Sequence, residues 1–435
     1  MATVDIENPL IWPPPSLLTQ VTDPSTGQQG YAFPLQTKAW LNMQMLVAYG
    51  LMFPLTPSTF TDTYGTFADE GAVDQAVDIL NQINKTAQKY GDPKTLISSV
   101  ESFGTADAPP ETIYGHAVWL AAQTQITAQQ IGSLLKEGLT EIGKEPDPKK
   151  RLAELTELLT GDGGINSWAA KLTGYIKSFQ SEVEAFYDEL NAELTGPKAA
   201  PSATPPPSAP SSPAKGQMYF STADNTLYWW DGNAWQPTSL QSYLQQSGNV
   251  LSEARNEEAA DVSQIEQLNK SITQLNSEYV GFTASASSSP ALLLIPFAGV
   301  FLAVADATTF TVLAVKTKNQ LATAQTSLDQ LKAEDQKKLA LVAVLGQFNT
   351  AVGDVESDGQ TFLNAVSGLM GGWSEFQTQI QTGVNTLTPA DVADWSKFMT
   401  TVNFNNALSS WNTVADKAEK FLQAGFVQFS TQTAS

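Results

Sequence analysis

The stretch SSSPALLLIPFAGVFLAVADATTFTVLAVKTK, residues 287–318, is a long apolar segment inside an acidic chain, and it decides how the rest of the sequence is organised. Its densest part, Ala291–Ala305, is shorter than the ~20 residues that a helix needs to cross a bilayer. Asp306 follows, and a second, β-branched apolar arm comes after it at 307–315. The sequence therefore predicts a hydrophobic hairpin with an acidic bend rather than an ordinary transmembrane helix.

Two interpretations of this hairpin remain open. As strands, the arms are near the ~9–11 residues that cross a bilayer; as a helical pair, they would reach about halfway across or need extension from their neighbours. Pro296 and Gly299 weaken helix and strand alike, which suits a segment that changes conformation. The alternative is an immobile plug of a bundle core. A hairpin between two long helices lies at the end of a rod, which is a poor place to fill a core, so insertion into lipid is favoured. The candidate membrane-insertion residues are Ala291, Leu292, Leu293, Leu294, Ile295, Pro296, Phe297, Gly299, Val300, Phe301, Leu302, Val304, Asp306, Phe310, Val312, Leu313 and Val315.

Composition argues against most other functions. The 435 residues carry a formal net charge of −21, which disfavours binding to nucleic acid and docking on anionic lipid by charge. There is no cysteine and a single histidine, His116, so disulfides, thiolate chemistry and multi-histidine metal sites are excluded. No phosphate-binding glycine motif is present. We therefore expect no catalytic residue, no metal and no cofactor, and we interpret His116 as a structural residue beside an apolar helix.

The rest of the chain is dominated by apolar residues at steps of three or four, which is typical of amphipathic helices. One such stripe runs from Ile165 to Leu190, and further stripes cover 321–355 and 362–387. "TPAD" at 388–391 predicts a helix start with Thr388 as its N-cap. The fold class is therefore mainly α, an elongated bundle. Its predicted parts are an extended N-terminal arm at 1–35, bundle segments at 36–195 and 317–435, a long helix at 238–280 and the hydrophobic hairpin at 281–316.

An insert of different character interrupts the helices. Residues 196–215 form a Pro-rich linker, and 216–237 predict a small β-meander with Asp-Gly and Asp-Asn turns. Its aromatic residues are candidates for contact with a glycan or a surface, because aromatic rings stack on sugar rings; the alternative is that they form the core of the module itself. These residues are Tyr219, Tyr228, Trp229, Trp230 and Trp235.

The first residues, MATVDIENPLIWPPPSLL, lack the basic and apolar regions of a secretory signal. Two explanations stay open: export by a route without a signal peptide, or prior removal of a signal.

Three stretches carry a resemblance to a known family. They are MQMLVAYGLMFPLTP (43–57), the apolar segment LLLIPFAGVFLAVADATTFTVLAV (292–315) and the Trp-bearing FLNAVSGLMGGWSEFQTQIQTGVNTL (362–387). Over roughly 36–195 and 240–430 the chain resembles the α-helical pore-forming toxins: the haemolysin BL and non-haemolytic enterotoxin components, cytolysin A and the α-xenorhabdolysins. The insert departs from that pattern and resembles repeats of phage tail fibres and carbohydrate-binding modules.

The resemblance implies a secreted toxin component whose hydrophobic tongue enters a target-cell membrane. It also implies a homo-oligomer, or a hetero-oligomer with related toxin components. Contact with a glycan or receptor through the β-module is a separate expectation, which rests on the aromatic residues of the insert. The rival hypothesis is a structural or adhesive rod of a phage-tail-like or surface assembly, in which the β-module is the active end. An enzyme is the weakest hypothesis, because only His116 offers familiar catalytic chemistry.

Overall fold

A computed structural model describes residues 9–22, 29–68, 70–92, 108–195, 209–213, 218–221, 226–239, 242, 250–257, 295–297, 300–302 and 333–424. Most of the predicted helix at 238–280, most of the linker and most of the hairpin at 281–316 lie outside these residues.

Helices dominate the described part, so the predicted mainly α-helical bundle is confirmed. Their bounds are α1 Lys38–Met52, α2 Pro57–Tyr64, α3 Glu70–Tyr90, α4 Ile113–Ile142, α5 Pro148–Thr160, α6 Ile165–Thr195, α7 Val250–Glu257, α8 Ala333–Thr386, α9 Trp395–Thr401 and α10 Phe404–Ala424. The strands are β1 Thr19–Thr22, β2 Gln29–Ala32, β3 Met218–Ser221, β4 Thr226–Trp230, β5 Trp235–Thr238, β6 Ile295–Phe297 and β7 Val300–Leu302.

The longest helix, α8, forms the axis of the bundle. Its 54 residues span about 80 Å at ~1.5 Å per residue. It runs antiparallel to α6: Gln377 Nε2 donates to Thr173 Oγ1 at 2.7 Å, and Gln180 Nε2 donates to Ser367 Oγ at 3.2 Å. The helices thus pack along their lengths rather than crossing at one point.

The predicted apolar stripe of α8 is buried as one continuous row. Six of its members are at most 1% exposed: Phe362, Val366, Leu369, Trp373, Phe376 and Ile380. The sequence predicted separate stripes at 321–355 and 362–387, but the described residues form one unbroken helix from 333 to 386. Gly359 explains the apparent gap, because it is the buried residue between the stripes and a Cβ there would lie 2.6 Å from Tyr187 Cδ1.

Trp40 joins five helices at the centre of the bundle. It lies in the first turn of α1, where the Oγ1 of the capping residue Thr37 accepts a hydrogen bond from Trp40 N at 3.0 Å. Its indole is 2% exposed. The rings around it belong to α3, α4, α8 and α10, with centroid distances of 6.2, 5.1, 5.4 and 5.5 Å; they are Tyr90, Tyr114, Phe362 and Phe421.

The predicted extended arm at 1–35 is closely packed on the bundle where the structure describes it. It contains two short 3-10 turns, Pro9–Ile11 and Pro15–Leu17, and the hairpin β1–β2. Reciprocal indole bonds tie it down: Trp12 Nε1 donates to Val402 O at 3.0 Å, and Trp411 Nε1 donates to Ile11 O at 2.8 Å. Proline and glycine prevent a long helix here, but they leave apolar side chains free to be buried.

The predicted helix start at "TPAD" is wrong. Thr388 N and Oγ1 both donate to Asp391 Oδ2, at 2.8 and 2.7 Å, so the motif closes a turn. The helix begins at Trp395 instead, where Asp394 Oδ1 accepts from Lys397 N at 3.0 Å. Thr388 and Asp394 are both residue types that cap helices, and only Asp394 does so here.

Replacing Trp40 with alanine should lower the free energy of unfolding by about 3–5 kcal/mol, because the substitution leaves a cavity among rings from four other helices. Chemical denaturation followed by circular dichroism measures this. The matched control is Tyr31→Ala, whose ring is 42% exposed and should cost far less. Equal losses for the two variants would contradict the central role of Trp40.

Candidate membrane-insertion site

The described part of the hydrophobic segment is a short antiparallel hairpin. Strands β6 and β7 pair with Ile295 opposite Leu302, Pro296 opposite Phe301 and Phe297 opposite Val300. In the sequence, two residues stand between the strands, Ala298 and Gly299. Proline is tolerated here because a two-stranded ribbon leaves one edge of each strand unpaired.

The chain reverses between Phe297 and Val300, within the stretch 291–305 that the sequence analysis treated as a single arm. Pro296, which was expected to weaken regular structure, is paired in β6 beside this reversal. Asp306 lies outside the described residues, so the bend predicted there stays a prediction.

The hairpin lies against the bundle. Cα atoms of β6 approach those of α8 within 8 Å. Membrane insertion by any of the candidate residues stays a prediction. The candidates that lie outside the part of the chain that the structure describes are Ala291, Leu292, Leu293, Leu294, Gly299, Val304, Asp306, Phe310, Val312, Leu313 and Val315. Among the residues that are described, no helix is both long and apolar enough to span a bilayer.

Further contacts connect the first part of α8 to α7 and to the link between α2 and α3. α7 packs on α8 and on α3. Lys338 Nζ, near the beginning of α8, lies 5.3 Å from the centroid of the Phe67 ring, and Glu253 Oε1 of α7 accepts a hydrogen bond from Ala68 N at 2.8 Å. The link between α2 and α3 is thereby attached both to α7 and to the first part of α8.

The aromatic insert is a three-stranded antiparallel sheet in the order β3-β4-β5, and its predicted strands are confirmed. Asp231 organises the Asp-Gly turn: its Oδ1 accepts from Asn233 N at 2.7 Å and from Ala234 N at 2.8 Å, and Gly232 adopts φ 104°. The sheet is docked on the helices, β3 against α3 and β4 against α6.

The candidate sugar-binding aromatics have different surroundings. Tyr228 is 2% exposed, so it offers no ring face to a sugar in this structure. Trp230 and Trp235 stand opposite each other on β4 and β5 and are half-buried, with ring centroids 5.4 Å apart in an edge-to-face arrangement. Tyr219 pairs with Tyr228 across β3 and β4, and Trp229 pairs with Met218. Among the candidate aromatics whose burial is described, the tryptophan pair of β4 and β5 is therefore the more accessible.

The only histidine is buried in the bundle. His116 is 1% exposed and packs on Phe179, with ring centroids 4.9 Å apart. Its Nδ1 lies 2.8 Å from Glu182 Oε2. Burial lowers the pKa of His116, and the bond to Glu182 opposes that shift. Within the described ranges, no group of acidic or histidine side chains is arranged to hold a metal ion.

The sequence analysis missed a buried polar contact between α3 and α6. Glu193 is 3% exposed and accepts hydrogen bonds from Thr86 and Gln82. A signal was present, because the apolar stripe of α6 passes through Val183, Phe186 and Leu190 and its next step falls on Glu193 and Leu194. A carboxylate at a stripe position indicates a buried acidic group.

Among known proteins, similarity to this chain is found in solved structures. No protein-family model matches the chain, and no curated protein matches its sequence. Soluble SmhA of the tripartite α-pore-forming toxin Smh from Serratia marcescens has a TM-score of 0.50 and 10% identity, over 89% of this chain and 91% of SmhA. A second crystal form of SmhA gives 0.50 at 11% identity with the same coverage. Soluble AhlB of the tripartite toxin AHL from Aeromonas hydrophila reaches 0.45 at 11% identity, over 89% and 92%. SmhA confirms the resemblance to the α-helical pore-forming toxins at the level of the fold.

Acidification should weaken the bundle through His116. Because the pKa of His116 is lower in the folded protein, the unfolded chain binds the proton more readily. The free energy of unfolding therefore decreases as the pH falls below about 6.5. His116→Gln should remove this part of the loss. The measurement is the free energy of unfolding of both proteins at pH 7.5 and pH 5.5. If the difference between wild type and variant is the same at the two pH values, His116 does not titrate on unfolding.

Proposed function

We propose that this chain is a non-enzymatic component of a pore-forming toxin, which inserts the tongue, residues 291–315, into a target membrane and oligomerises there. The observation that carries the proposal is the combination of an apolar, nearly charge-free tongue with the fold of soluble SmhA. In the resting protein, the described strand β6 of the tongue lies against α8. On contact with lipid, the tongue leaves this position and the neighbouring helices rearrange.

Burial of the apolar tongue supplies the driving force, at about 25 cal/mol per Å² of apolar surface removed from water. Electrostatic attraction to anionic lipid does not contribute, because the chain carries a net charge of −21. The carboxylate of Asp306 is costly in hydrocarbon. It therefore remains at the bend, crosses to the far side, or lines the lumen of the pore.

Partner subunits follow from the same comparison. SmhA is one component of a tripartite toxin. By analogy we expect this chain to form a homo-oligomer or a hetero-oligomer with related components, released in a water-soluble form before it meets the membrane.

A charge in the tongue should block membrane insertion. Phe301→Glu places a carboxylate in β7 and should reduce liposome association about ten-fold or more, because an ionised group in hydrocarbon costs ~2–4 kcal/mol. Liposome flotation is the measurement, since it does not require a complete pore. The control is Gln129→Glu, which adds the same charge at an exposed position of α4.

A second variant makes this test decisive. Residues 291–315 are replaced by a Gly-Ser segment of equal length, and the helical circular dichroism is compared with that of the wild type. Undiminished membrane association by a folded variant of this kind would rule out insertion of the tongue.

The second candidate function is adhesion by a rod whose β-module binds a glycan. The half-buried pair Trp230 and Trp235 favours it, because aromatic faces stack on sugar rings. Under this hypothesis, Trp235→Ala should abolish association with erythrocytes while association with protein-free, glycan-free liposomes is unchanged. Loss of association in both cases, or in neither, would count against a glycan site. The two functions are compatible, with the module selecting the cell and the tongue attacking it.

A further inference from the structure

The contact between α3 and α6 is polar where its surroundings are apolar. Glu193 stands in the last turn of α6, and its two oxygens are bound separately: Oε1 accepts from Gln82 Nε2 at 2.7 Å, and Oε2 accepts from Thr86 Oγ1 at 2.6 Å. Both donors belong to α3. One turn earlier on α6, Glu189 forms an ion pair with Lys89 at the end of α3. These contacts fix the register of the two helices.

The carboxylate of Glu193 is cut off from water. It is 3% exposed and lines a cavity of about 10 Å³, which is at the lower limit for a single water molecule. The other lining residues are apolar apart from Thr86, and α1 contributes Leu46 and Val47. In the part of the chain that the structure describes, an ionised carboxylate here would be hydrogen-bonded only by its two neutral donors, Gln82 and Thr86.

The charged groups around Glu193 do not neutralise it. Among the described residues, those that act on it are Glu189 of the same helix and Lys89 of α3, and these two are paired with each other. The carbonyl end of α6 adds an unfavourable dipole for a negative charge. Burial raises the pKa of Glu193 to about 7, while the bonds from Thr86 and Gln82 and the charge of Lys89 oppose the shift.

We infer that Glu193 is a proton-controlled clasp between α3 and α6, closed when its carboxyl group is protonated and loosened when it is ionised. The proton exchanges with solvent as the helices part. The folded pKa lies above the ordinary value of 4.5, so the clasp's stabilisation is complete below pH 4.5 and is lost as the pH rises through about 7. Acidification therefore holds α3 in place, and mildly alkaline pH releases it.

The position of α3 gives the clasp a structural consequence. α3 packs on α1, it contacts strand β3 of the aromatic module, and it contacts α7. Release of α3 from α6 therefore weakens the contact between the bundle and the β-module and one of the contacts that hold α1 in place. The consequence for membrane attack rests on the proposed function: the protein would be restrained near pH 6 and ready to rearrange above pH 7.5.

Amide hydrogen exchange of α3, followed by mass spectrometry at pH 6 and pH 8 and corrected for the chemical exchange rate, tests the clasp without any membrane. In the wild type, protection of residues 82–90 should fall about ten-fold between the two pH values, as a folded pKa near 7 requires. Glu193→Gln, which keeps the shape without the charge, should be equally protected at both. The control Glu184→Gln removes an exposed carboxylate of the same helix and should behave as wild type.

Thr86→Val provides a second, independent variant. It removes a donor that favours the ionised form, so the fall in protection between pH 6 and pH 8 should exceed ten-fold. A ten-fold fall that persists in Glu193→Gln, or a smaller fall in Thr86→Val than in wild type, would overturn the clasp. Because exchange is measured on the protein alone, this outcome is separate from failure of the tongue to enter lipid.

Discussion

The bundle depends on the burial of Trp40, because this one side chain is where helices from both halves of the sequence meet. The aromatic rings around it come from α3, α4, α8 and α10, so residues that are hundreds of positions apart pack around a single indole. The N-terminal segment reinforces this closure, since Phe33 packs on Phe421 with centroids 5.2 Å apart. The insert and the tongue are both carried by helices that this junction positions, β3 by α3 and β6 by α8.

The sequence predicted the helices well where the apolar stripe is continuous, and less well where a single non-apolar residue interrupts it. α6 follows its stripe from Ile165 onward. The stripe of α8 is interrupted in the sequence at Gly359, which is buried although glycine has no apolar side chain to mark the position. The N-terminal segment shows the opposite limit. Its prolines predicted an irregular backbone, but burial of Trp12 depends on a hydrogen bond to Val402, which is too distant in sequence for any local pattern to indicate.

The candidate site was predictable in composition and not in geometry. Apolar content alone located the tongue, but the reversal between Phe297 and Val300 depends on strand pairing, which apolar content does not specify. The aromatic module was recognised from its turns, yet the burial of Tyr228 follows from docking on the helices, which the insert's own sequence does not encode. Glu193 was missed because stripes are read by their apolar members, and a buried acid appears only as an interruption.

The proposed function requires an apolar segment that is first kept out of water and later released, and such release needs contacts that are specific and break at a low cost in free energy. Apolar packing such as that around Trp40 is unsuited to this, because exposing it costs free energy in proportion to its area at every pH. Polar contacts between helices behave differently: Gln82, Thr86 and Glu193 fix a register through direction, and water can replace each of their bonds once the helices part. The division of the bundle into an aromatic centre and a polar α3–α6 contact thus separates the part that must persist from the part that can move.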